Sequence, residues 1–144
     1  MEAVELKYAV DMRQIPECPP SAAVPCEREA FRFVHEDVLD TRNFSPVAKI
    51  NPRRILQGSK PHAKCIAFAL SFYASKEQAI TAFKTMLARH QNFRNTVGDQ
   101  LATGQLSRSD GVALGVSNDG HFSFFEFASV DFSTGRFNVI ERLR

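Results

Sequence analysis

The stretch Cys65-Ile66-Ala67-Phe68-Ala69-Leu70-Ser71-Phe72-Tyr73, followed at once by Ala74-Ser75-Lys76-Glu77-Gln78-Ala79-Ile80, decides the fold class. Its first nine residues are nearly all apolar, the pattern of a central strand covered on both faces. At a period of two, Ile66, Phe68, Leu70 and Phe72 point one way and Cys65, Ala67, Ala69, Ser71 and Tyr73 the other. Large side chains then fill one side, while small ones let a helix or a ligand approach the other. Ser75 with Gln78 three residues on is a capping box. From there Ala79, Ile80, Ala82, Phe83, Met86, Leu87, His90 and Phe93 fall on one arc at about 100° per residue, which predicts an amphipathic helix over 76–93, stopped by Gly98.

Upstream of this pair, Val4, Leu6, Tyr8 and Val10 alternate with polar neighbours, which predicts a strand over 4–12 with one wet face. Pro16, Pro19, Pro20 and Pro25 make 15–26 a connector, because each lacks an amide donor and restricts the residue before it. Residues 30–34 fit a strand or one helical turn. A second connector, 41–64, carries Pro46, Pro52 and Pro61, with a short helix over 53–57 capped by Asn51 and ended by Gly58. Downstream, segments 99–106, 112–117, 122–127 and 137–143 read as strands joined by turns, among them Asn118-Asp119-Gly120, whose Asp-Gly pair tolerates positive φ. One principal helix against several mostly antiparallel or mixed strands is an α+β architecture, expected as one domain over 1–144.

The 144 residues are 44% apolar and 24% charged, which excludes a disordered tail and a coiled coil. No run approaches the roughly eighteen apolar residues of a membrane helix. The first residues carry neither the basic start nor the apolar stretch of a signal peptide, so a cytoplasmic protein is expected. Cys18, Cys26 and Cys65 are odd in number, and without a secretory signal three reduced thiols are the default. Their spacing lacks the CxxC pairs of a zinc site, and Cys65 reads as a small core residue rather than a nucleophile. No metal and no cofactor is called for.

Charge is distributed unevenly. Residues 1–40 hold four Lys or Arg against nine Asp or Glu, 41–95 hold ten against Glu77 alone, and 96–144 hold four against six, so the net +2 is the sum of −5, +9 and −2. The middle block offers an electrostatic footprint to an anion, unless the acidic first forty residues lie against it as surface ion pairs.

The chain has no Walker loop, dinucleotide-binding glycine pattern, HExxH, nucleophile elbow or EF-hand loop. The octapeptide Gly120-His121-Phe122-Ser123-Phe124-Phe125-Glu126-Phe127 resembles the RNP1 element of RNA-recognition motifs in its aromatics but departs at its first two positions, and core packing is the alternative use of such alternation. His35-Glu36-Asp37 and His121 with Glu126 are candidate acid–base groups, although His121 and Glu126 fall on opposite faces of one strand. His90 lies on the apolar arc of the helix and reads as a core residue. The order Arg32, then Ser71 and Tyr73 before a helix, then Glu126 resembles ADP-ribosyltransferase-like folds, a resemblance that implies an arginine holding cofactor phosphates and a glutamate polarising a ribose.

The expected function is a small intracellular, non-catalytic binding or accessory module. Its basic residues Arg42, Lys49, Arg53, Arg54, Lys60 and Lys64 contact an anionic partner, nucleic acid first and an acidic protein surface second. The alternatives are a small nucleotide-processing enzyme using Arg32, Ser71, Tyr73 and Glu126, and a structural subunit that buries some of its phenylalanines in a homodimer.

Overall fold

A computed structural model describes residues 5–37, 39–53 and 60–143. The fold is α+β. Six strands, β1 (Arg28–Val34), β2 (Leu70–Tyr73), β3 (Gln100–Leu106), β4 (Gly111–Ala113), β5 (His121–Glu126) and β6 (Phe137–Arg142), form one sheet in the order β4-β5-β2-β1-β3-β6. Every neighbouring pair is antiparallel. Among the described residues the helices with both ends defined are α1 (Ala9–Met12), α2 (Val47–Ile50), α3 (Pro61–Ile66), α4 (Lys76–Arg89) and α5 (Phe93–Val97), with a 3-10 turn over Thr41–Phe44.

The principal helix forms where the apolar period requires it. Ser75 accepts from the Gln78 amide, and Ala79 and Phe83 seat on Phe31 and Leu101 of the sheet. It ends sooner than the sequence suggests: His90 leaves helical geometry, and Phe93 and Val97, four residues apart, return to the same core from α5. Gly98 therefore stops the second helix. Its φ of +89 is in the glycine-favouring region, and a Cβ there would lie 2.1 Å from the Val34 carbonyl oxygen.

Three expectations are corrected. Residues 65–69 are not strand: Pro61 opens α3, and only Leu70–Tyr73 is extended. A short apolar run reads equally as buried helix, and here the helical period wins, placing Cys65 and Ala69 together against the N-terminal segment. Of the strand expected over 4–12, Val4 lies outside the described residues and 5–12 are not strand, for Leu6 makes a lone bridge to Phe127 and the chain then turns helical, with Tyr8 and Met12 four apart on one apolar side. Finally, the thiols are not all reduced, because Cys18 and Cys65 form a disulfide and only Cys26 is free.

Residues 30–34 resolve as strand within β1, whose seven residues register with β3. The 112–117 segment shortens to β4. Of the short helix over 53–57, Pro52 and Arg53 are helical, and Arg54 with the rest of that segment lies outside the described residues.

The two sheet faces have different cores. On one, Phe72 packs against Phe122, Phe124, Phe132 and Phe137 at ring separations of 5.6–6.1 Å, with Phe132 delivered by the 128–136 loop. That loop is pinned by Arg136, which pairs with Asp110 at 2.6 Å. On the other face, α4 and α5 cover β1 and β3, while α1, α3 and the disulfide cover Phe125 and the β4 side. β1 and β2 register at a single pair, Phe31 with Tyr73, and beyond it the two strands part.

Candidate binding cleft

Where β1 and β2 part, the two helical covers of the sheet do not meet. They leave a cleft of about 630 Å³. Its floor is Phe33, Ser71, Tyr73 and His121; Met86, Phe93, Thr96 and Val97 form the wall from α4 and α5, and Val47, Ile50, Ala63 and Ile66 form the wall from α2 and α3. Ser71 stands exposed on a central strand because neither cover reaches it. Ala67, Ala69 and Ser71, three of the small residues of the 65–73 stretch, all line the cavity.

Arg32 closes one end. Its Nε donates to the Asn43 carbonyl at 2.6 Å and its Nη1 to the Ser71 carbonyl at 2.9 Å. Asn43 is itself buried and fixed, accepting from the His35 amide through Oδ1 and donating to the Asp37 carbonyl. The guanidinium also lies over the rings of Phe44 and Phe72. Burial pulls Arg32 down to about 10, with nearby Glu126 opposing, so it stays charged at neutral pH. No carboxylate among the described residues forms an ion pair with it.

Arg42, the second cation on the cleft, is already matched. It pairs with Asp40 at 2.8 Å and donates to the Asn95 carbonyl, which ties the 3-10 turn to α5. Its guanidinium holds the Asp40 carboxyl down at about 2. On the floor, the Tyr73 and His121 rings meet edge to face at 5.6 Å. Burial raises the Tyr73 hydroxyl and lowers the His121 imidazole, and Asp119 only partly offsets the latter, so both groups are neutral near pH 7.

The structure thus brings Arg32, Ser71 and Tyr73 to one cavity but not Glu126. That carboxylate is 3% exposed on the phenylalanine face, with Oε2 2.8 Å from Lys7 Nζ and Oε1 buried without a partner. His121 sits in the cleft, on the opposite face from Glu126. His35 accompanies Arg42 at 3.5 Å, while His90 is exposed rather than in the core. Of the RNP1-like aromatics, Phe122 and Phe124 are buried and Phe127 is half-buried against the same core, so the alternation serves packing.

The basic residues fall into two sets. Arg42 and Lys49 are paired with Asp40 and Asp11. Arg53 and Lys60 are exposed and Lys64 is half-buried, and the three make no ion pair among the described residues; Lys60 and Lys64 belong to α3 and its cap, beside the cleft wall. Sequence reasoning missed His121 and Phe93 as cavity residues, since nothing in one strand or one helix signals that two covers will fail to meet. Among the described residues no group of His, Cys, Asp or Glu could hold a metal ion, and no helix is long and apolar enough to cross a membrane. No protein-family model matches the chain, and neither a curated protein nor a solved structure matches it.

Proposed function

We propose that this protein is a non-catalytic binding module that engages an anionic partner, nucleic acid first, through the basic face of its central region. One observation carries the reading. Among the described residues, the acidic first forty positions reach that region only at Lys49 and Arg42, through Asp11 and Asp40, and leave Arg53, Lys60 and Lys64 without ion pairs. Cations spared from internal pairing are available to phosphates, whose neutralisation releases counterions and makes binding salt-dependent. The test is anisotropy of a labelled single-stranded oligonucleotide titrated with protein across a salt series. Binding that weakens with salt and is lost in the triple variant Arg53→Ala, Lys60→Ala, Lys64→Ala supports the reading. Salt-insensitive or absent binding removes it, and retention of an acidic peptide alone transfers it to a protein surface.

A second reading, a small nucleotide-processing enzyme, is favoured by Arg32, Ser71 and Tyr73 sharing one cavity. It lacks its carboxylate, because Glu126 is engaged by Lys7 outside the cleft. For the homodimer reading, none of the thirteen phenylalanines is fully exposed and six are half-buried, and the mass of the protein in solution tests it. The Cys18–Cys65 bond favours a non-reducing compartment over the cytoplasm, and counting free thiols in protein extracted under alkylating conditions checks this.

A further inference from the structure

We propose that the cleft between the two helical covers binds a small organic carboxylate with a flat apolar body, Arg32 receiving the carboxylate and the Phe33–Tyr73–Phe93 side receiving the body. Charge is the first argument. Arg32 is half-buried with no ion pair among the described residues, and two of its nitrogens are committed to neutral carbonyls. Its Nη2 has no protein acceptor among those residues and belongs to a side chain that lines the cavity. A guanidinium with a donor still free beside a cavity is suited to a charge-assisted hydrogen bond to an anion. Because Asp40 already neutralises Arg42, Arg32 is the one cleft-lining Lys or Arg among the described residues without an ion pair, which suits a singly charged carboxylate better than a doubly charged phosphate.

Shape and polarity give the second argument. A cavity of about 630 Å³ falls within the usual range for small-molecule sites, and its walls are mainly aliphatic and aromatic with a few polar groups. The Ser71 and Tyr73 hydroxyls and the neutral His121 ring add orientation without adding charge. None of the unpaired basic residues Arg53, Lys60 and Lys64 lines the cavity, so this inference stands apart from the nucleic-acid reading.

The test is calorimetric titration of the full chain, disulfide intact, with 2-naphthoate, and with 2-naphthamide as its uncharged match. One-to-one binding of the naphthoate is expected, with the amide on the order of tenfold weaker or more, since it forfeits a charge-assisted hydrogen bond. Ala63→Trp, at an exposed position on the wall and outside the core, is expected to crowd the cavity and weaken binding. Arg32→Lys keeps a cation but loses the planar fork, and reduces the preference for naphthoate over the amide. If Arg32→Lys does not fold, the amide comparison and Ala63→Trp decide. Absence of saturable naphthoate binding, equal affinity for the amide, or undiminished binding by Ala63→Trp overturns the proposal. Loss of oligonucleotide binding in the Arg53, Lys60 and Lys64 triple variant, with naphthoate binding intact, separates the two readings.

Discussion

Glu126 and Asp110 are buried carboxylates on neighbouring strand ends, each 3% exposed, yet their surroundings push them in opposite directions. Burial raises Glu126 above its ordinary 4.5, and Lys7 offsets this only in part, so holding the charge costs folding free energy above that pH and costs nothing once the group is protonated. Lys7→Met removes its one ion-pair partner among the described residues and is expected to destabilise by about 3 kcal/mol at pH 7 and far less at pH 4, measured by urea unfolding. An equal loss at both pH values would count against this account. Burial also pushes Asp110 upward, but the Arg136 guanidinium and the Ser107 amide and hydroxyl outweigh it and hold Asp110 below its ordinary 3.8. A depressed carboxyl gives stability that is present above 3.8 and is lost as pH falls through the folded value. Arg136→Met should therefore flatten the acid limb of the stability curve below pH 4, and an unchanged limb is the contrary result.

At the scale of elements, the disulfide joins the 13–26 segment to α3, which is one wall of the cleft. Cys18 and Cys65 are 47 residues apart, so the cross-link restricts a long loop in the unfolded chain. On the chain-entropy account its reduction is expected to lower stability by about 4 kcal/mol. Denaturant midpoints with and without reductant check the figure, and coincident midpoints would show that the bond contributes nothing. The pair Ser75 and Gln78 made the start of α4 legible from sequence, because a cap is a local device. Its end was not legible. Phe93 continues the same apolar arc, and only the burial of Phe93 and Val97 from a separate turn shows that the chain breaks at His90. The 65–69 error has a similar origin: alternating large and small apolar residues suit a strand, but Pro61 and the partner at Cys18 favour helix, and a partner 47 residues away leaves no trace in the local pattern.

For the whole molecule, the charge partition of −5, +9 and −2 survives folding in part, with Arg42 and Lys49 absorbed by Asp40 and Asp11. If Arg53, Lys60 and Lys64 each meet one phosphate of a single strand, the slope of log affinity against log salt should fall by about 2 in the triple variant. A slope that does not change would mean these cations bear on no phosphate. Of the candidate site residues, Arg32, Ser71 and Tyr73 line one cavity because β1 and β2 are adjacent strands, whereas Glu126 lies across the sheet from Tyr73 and, although its charge is felt by Arg32 on the phenylalanine face, is paired with Lys7 outside the cleft.

What the sequence determined by itself is local or compositional: the α+β class, the principal helix and its cap, the C-terminal strands and turns, and the uneven charge. Each rests on periodicity, capping or turn chemistry acting within a few residues. The strand order, the Cys18–Cys65 bond, the withdrawal of Glu126 to Lys7 and the cleft with Arg32 at its end were decided only in three dimensions. They depend on which distant segments cover which part of each sheet face, and the cleft is the place where those covers fall short of one another.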